Sequence, residues 1–126
     1  MINIGLIGAG RIAGHHLQAI KKFKIFRVVA FCDLHLNKID NHRIDNKFNI
    51  YNHYDEMLSN KKNIDLVVLM TPSGMHYEHA KKIISKYKKN IIIEKPICLK
   101  TSQVIELYKL ANKNKVKIFP VFQNRY

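Results

Sequence analysis

Short unbroken apolar runs alternate along this chain with longer stretches whose apolar positions recur at helical spacing. Residues 3–7 (Asn-Ile-Gly-Leu-Ile) form the first run and pass directly into Gly8-Ala-Gly-Arg-Ile-Ala-Gly14. From there to about Lys24, Ile12, Leu17 and Ile20 fall on one side, which predicts a helix. Residues 27–32 read as a second strand, ending at Asp33. The polar stretch 34–53, rich in Asn and Asp, is expected to hold an irregular helix and a short third strand over 48–51. A short helix follows over 54–60. Residues 65–70 (Asp-Leu-Val-Val-Leu-Met) are the clearest strand, because a continuous apolar run suits a strand covered on both faces. That run halts at Thr71-Pro72-Ser73-Gly74, and a helix is expected from His76 to Tyr87. The rest reads as a fifth strand over 90–93, a helix from a Thr101 or Ser102 cap to Asn114, and a sixth strand over 117–122.

Strands alternating with helices need crossover connections. The pattern therefore predicts α/β architecture: one domain over residues 1–126, built on a doubly wound parallel sheet of about six strands. No repeat, low-complexity segment or linker interrupts it.

Composition narrows the class. A chain of 126 residues that is 47% hydrophobic and 25% charged is globular rather than disordered. The charge is lopsided, with 22 Lys+Arg against 9 Asp+Glu for a net +13. The lysines are scattered, however, and most Phe and Tyr are committed to strands or helix core faces. Nucleic-acid binding wants a concentrated basic stripe with free aromatics, so it is not expected. A positive field that attracts an anionic small-molecule substrate is. No apolar run reaches about 18 residues, so no membrane span is expected. The N-terminal residues lack the pattern of a secretory signal, and the expected location is cytoplasmic. Cys32 and Cys98 form no paired-cysteine metal motif and read as small apolar residues.

The first strand–turn–helix carries the strongest chemical signal. Gly8 permits a tight turn, Gly10 removes a side chain where a diphosphate must approach the backbone, and Ala13 keeps the helix close to the sheet. Free N–H groups and the dipole at the helix start attract the anion. Asp33 ends the second strand 20 residues after Ala13, where an acid can bond both ribose hydroxyls of an adenosine. Read blandly, Asp33 is a turn or helix-cap residue, and a methyltransferase-type site uses a similar turn and acid. As a dinucleotide site, the acid repels a 2′-phosphate and Leu34-His35 offers no adjacent Arg, so NAD is preferred over NADP. At the end of the fifth strand, Glu94-Lys95-Pro96 points into the crevice where open parallel sheets bind ligands. A lysine there can hydrogen-bond a substrate hydroxyl or assist its proton transfer; the alternative is an exposed pair in a loop stiffened by Pro96.

Gly8-Ala-Gly-Arg-Ile-Ala13, Asp33, Thr71-Pro72-Ser73-Gly74-Met75-His76 and Glu94-Lys95-Pro96 together resemble the Gfo/Idh/MocA oxidoreductases. The resemblance covers essentially the whole chain. It implies an N-terminal NAD(P)-binding Rossmann domain and hydride transfer on sugars, inositols and related polyols. The Thr-Pro-Ser-Gly-x-His form and Gln123-Asn124-Arg125 look most like the dehydrogenases that oxidise C3 of UDP-N-acetylglucosamine or its uronic acid, an anionic sugar nucleotide. On this resemblance Gly8, Gly10, Arg11 and Ile12 line the pyrophosphate turn and Asp33 holds the adenosine ribose. Thr71, Pro72 and His76 pack along the cofactor toward its nicotinamide half. Glu94 and Lys95 reach the nicotinamide ribose, with Lys95 the catalytic contact to the reacting hydroxyl. Gln123, Asn124 and Arg125 lie at the substrate edge, where Arg125 could meet a carboxylate or phosphate bidentately.

The remaining candidates are weaker. His76 and His79 share a helical face but lack a third ligand in register, so no metal site is expected, and His79 reads as a surface helix residue. His15 and His16, at the start of the first helix, are either near the cofactor or plain helix-face residues. Family members resembling this chain carry a further substrate domain. The expectation is thus the cofactor-binding part of a dehydrogenase, acting with a second domain or chain or as a homo-oligomer. A non-catalytic nucleotide-binding module is the alternative.

Overall fold

The computed structural model describes residues 1–42 and 47–122. Its elements in chain order are β1 (Ile2–Ile7), α1 (Arg11–Lys21), β2 (Phe26–Cys32), α2 (Leu36–Asp40), β3 (Asn49–Tyr51), α3 (Tyr54–Asn60), β4 (Leu66–Leu69), a 3-10 turn (Ser73–Met75), α4 (His76–Ser85), β5 (Asn90–Ile93), α5 (Thr101–Asn114) and β6 (Ile118–Pro120). All six strands pair in parallel, in the order β3-β2-β1-β4-β5-β6. This is the doubly wound arrangement that the alternating pattern predicts, with its switch point between β1 and β4.

Right-handed crossovers fix which helix covers which face. The leftward steps, β1 to β2 to β3, put α1 and α2 on one face, where Ala13, Leu17 and Ile39 pack against Ile4, Leu6, Phe31 and Val68. The return step and the rightward ones put α3, α4 and α5 on the other. There Met57, Ile83, Ile84 and Leu107 pack against Ala30, Val67, Leu69, Ile91 and Ile93. Neighbours along one strand, such as Val67 and Val68, serve opposite layers, and this is why the strand runs are continuously apolar.

Several boundaries differ from the sequence reading by one to three residues, α4 among them, which ends at Ser85 rather than Tyr87, and three differences have a visible physical reason. Helix α1 stops at Lys21, because the turn at 22–25 feeds Phe26 into the sheet through Ile2 N–H donating to Ile25 O and Phe26 N–H donating to Phe23 O. Helix α5 has Lys100 at its N-cap and no side-chain cap; the Lys100 carbonyl accepts from Gln103 and Val104, so neither Thr101 nor Ser102 caps it. Strand β6 spans three residues, although Val121 N–H still donates to Ile93 O.

Register aligns the carboxyl ends of the strands. Ile7 pairs with both Cys32 and Leu69, and Leu69 pairs with Ile93. Gly8, Asp33, Met70 and Glu94 therefore form the next row along a single edge, which is where the candidate site lies.

Candidate dinucleotide site

At the β1–α1 turn the backbone does the positioning. Gly8 has φ +98°, and a Cβ built on it would lie 2.7 Å from the Met70 carbonyl oxygen, so only glycine fits. Its N–H donates to Cys32 O, tying the turn to β2. Gly10, the N-cap of α1, is different: its dihedrals (φ −73°, ψ −171°) suit any residue, and a Cβ there would meet nothing within 4 Å. The missing side chain leaves open space in front of the helix start. Helix α1 has no side-chain cap and no acid in its first turn, so its leading N–H groups and dipole face that space unopposed.

A cleft of about 650 Å³ opens at this point. Gly8, Gly10, Arg11 and Ile12 line one part of it, Asp33 the next, and Thr71 and Pro72 the far wall. Seven positions singled out from the sequence are thus brought together in one cavity. Asp33 is tightly held, one carboxylate oxygen accepting from Ala9 N–H and the other from His35 N–H, both at 2.7 Å. It is a turn residue as well as a candidate ribose ligand, because a carboxylate has roughly four acceptor sites and two remain. Leu34, His35 and Lys38 line the cleft beside it.

His79 corrects the sequence reading. It is half-buried and lines the cleft, with Nδ1 3.1 Å from the Thr71 hydroxyl and its ring 4.9 Å from that of Tyr54. Burial, reinforced by the neighbouring charge of His76, holds its pKa below the ordinary histidine value. Tyr54 at the start of α3 lines the same wall, and its phenol is pushed up, chiefly by burial. The signal for His79 was its three-residue spacing from His76, which put it on a face already expected to meet a cofactor.

His76, Glu94 and Lys95 lie along the same edge but outside the cleft lining. His76 is buried, with Nε2 2.6 Å from Thr71 O and Nδ1 2.8 Å from Pro96 O. Glu94 is buried too, its Oε1 2.5 Å from His16 Nε2 on α1. Lys95 is exposed. Gln123, Asn124 and Arg125 lie outside the described residues. Cys32 and Cys98 are buried free thiols; burial, and then the charge of Asp33, pushes Cys32 up to about 12. Among the described residues no cluster of three or more His, Cys, Asp or Glu side chains could hold a metal, and no helix is long and apolar enough to cross a membrane.

An open space where a Cβ is missing, an uncapped helix start and a fixed acid form a cradle suited to a nucleoside diphosphate, and known proteins place it. The chain is 29% identical over 126 residues to the uncharacterized oxidoreductase sll0816 of Synechocystis, covering 99% of this chain and 33% of that protein. It is 37% identical over 73 residues to the scyllo-inositol 2-dehydrogenase (NADP(+)) IolW of Bacillus subtilis, covering 58% of this chain and 20% of the relative. The fold matches the WlbA dehydrogenase of Bordetella pertussis, solved with NADH and UDP-GlcNAcA, at TM-score 0.89 and 28% identity, over 98% of this chain and 36% of that one. The chain thus spans about a third of the length of sll0816 and WlbA. The family model for the GFO_IDH_MocA oxidoreductases, NAD-binding Rossmann fold, matches residues 2–122, and the chain belongs to that family.

Proposed function

We propose that this domain binds NAD(H) in the cleft at the carboxyl edge of the sheet and serves an oxidoreductase acting on a hydroxyl of a sugar-like substrate. The observation that carries the proposal is the convergence on one cavity of Gly8, Gly10, the bare N-terminus of α1 and Asp33. The amides at the start of α1 take the pyrophosphate, with the Gly10 gap admitting it to the backbone. Asp33 takes the adenosine ribose with the acceptor sites its two amide bonds leave free. Its negative charge disfavours a 2′-phosphate and so favours NAD over NADP. Thr71 and Pro72 form the wall leading to the nicotinamide half, and their position on the switch-point edge supports that direction.

When bound, the nicotinamide supplies the hydride acceptor. Lys95, exposed beyond the end of β5, hydrogen-bonds the reacting hydroxyl and helps carry its proton. Glu94 and Lys95 face the nicotinamide ribose, and the family resemblance assigns the substrate edge to Gln123, Asn124 and Arg125, which lie outside the described residues. The net charge of +13 favours an anionic substrate such as a sugar nucleotide. The UDP-GlcNAcA bound by WlbA is the compound to try first.

Titration of NADH and NADPH, followed by nicotinamide fluorescence, tests the binding step. NADH should bind at least about tenfold tighter than NADPH, and Asp33→Ala should weaken NADH. Equal affinity for both would remove the assigned role of Asp33. A second reading, a binding module without turnover, is favoured by Lys95 lying outside the cleft lining. Product formation from UDP-GlcNAcA and NAD that depends on Lys95 supports the oxidoreductase; NADH binding without product supports the module.

A further inference from the structure

Among the described residues the buried polar side chains are His76 and Glu94, and both hold the loop that carries Lys95. Glu94 is gripped from one face of the sheet. Its Oε1 meets His16 Nε2 of α1 at 2.5 Å, its Oε2 accepts from the Lys95 N–H at 3.3 Å, and its own N–H donates to Leu69 O. Pro96 is gripped from the other face: its carbonyl lies 2.8 Å from His76 Nδ1 of α4, whose Nε2 is 2.6 Å from Thr71 O. The residues immediately before and after Lys95 are thus tied to two walls of the cleft, α1 and the Thr71 segment. Lys95 stands exposed between them.

We propose that His16 and His76 are positioning residues that set Lys95 against the nicotinamide half of the bound dinucleotide, by fixing Glu94 and the Pro96 carbonyl from opposite faces of the sheet. The proposal rests on the NAD(H) reading above. A buried carboxylate and imidazole cost stability unless paired, so a loop that only had to close the sheet would do as well with apolar side chains. What the polar anchors add is direction. Carbonyl oxygens only accept, so it is a ring N–H of His76 that can bond them, and such a bond is directional. With its neighbours fixed, Lys95 has little beyond its side-chain torsions left to order when it meets a ligand.

The test compares NADH with ADP-ribose, which shares the adenosine and diphosphate but lacks the nicotinamide, by calorimetry on the full chain. Wild type should bind both. Lys95→Ala and His16→Ala should each weaken NADH by about fivefold and leave ADP-ribose within about twofold. His16→Gln should return NADH to within about twofold of wild type, since its carboxamide N–H can still donate to Glu94. Added to Lys95→Ala, His16→Ala should cost nothing further, because its effect runs through the lysine. His76→Ala should repeat the His16→Ala pattern; if that variant does not fold, the His16 and Lys95 set decides alone. Equal loss of both ligands, no loss of NADH, or full additivity in the double variant overturns the proposal while leaving the dinucleotide site standing. Wild type that binds neither ligand overturns the NAD(H) reading, and the positioning role falls with it.

Discussion

At the β1–α1 turn the chain offers bare backbone: two glycines, an uncapped helix start and amides facing open space. At the β5–α5 turn, on the same edge of the sheet, it offers a loop held by side chains, with Glu94 on His16 and the Pro96 carbonyl on His76. The first arrangement suits an anion that must come close from any of several directions, since amides and dipole act without ordering flexible groups. The second suits a lysine that must meet one atom. The first should fail when something is added to it, the second when something is removed.

The largest effect is expected where addition is impossible. Gly8→Ala forces a Cβ against the Met70 carbonyl at positive φ, and should cost about 2–4 kcal/mol in chemical denaturation. Retained stability would mean the turn is not as tight as its geometry. At the other turn, Glu94→Ala deletes the partner of His16 and should cost about 1–3 kcal/mol by the same measurement.

Gly10→Ala separates binding from folding. The new methyl meets open space, and a weaker cap and a stiffer unfolded chain act in opposite directions, so stability should move by less than about 1 kcal/mol. NADH affinity should fall at least about tenfold. Unchanged affinity would place the diphosphate elsewhere.

The smallest effect concerns the wall between the two turns. The pKa of His79 is held down in the folded state by burial first and by His76 second. Below the ordinary histidine value near 6.5 the unfolded chain therefore binds more protons than the folded one. Stability should decline as pH falls from that value toward the lower folded one, then level off with respect to this group. His79→Gln should flatten the slope of melting temperature against pH in that window. A slope identical to wild type would show that His79 does not titrate as its burial implies.

What could be read from the sequence follows the same division. The strands were legible because a sheet covered on both faces needs apolar residues at every position, as in Leu66–Leu69 and residues 91–93. Gly8, Gly10 and Asp33 were legible because a turn leaves a local pattern of residue types. The end of α1 was not, since lysines at 21, 22 and 24 suit helix and loop alike and the stop comes from sheet pairing through Ile2. His79 looked like a surface residue because its burial depends on Tyr54, distant in sequence and brought in by α3. The His16–Glu94 pair joins residues 78 apart and leaves no local trace at all. Backbone sites can be seen in a single segment; side-chain anchors between segments appear only once the fold is in hand.

The central claim is that the diphosphate of a nicotinamide dinucleotide sits on the glycine turn with its ribose at Asp33. Backbone amide chemical shifts, followed by NMR while NADH is added, test it most directly. The account predicts that saturable shifts concentrate at residues 8–13, 33–35 and 71–75. Saturation that leaves those amides unmoved, or shifts that gather instead at the smaller cavity lined by Leu17, Lys21 and Phe48 on the α1 face, would contradict it.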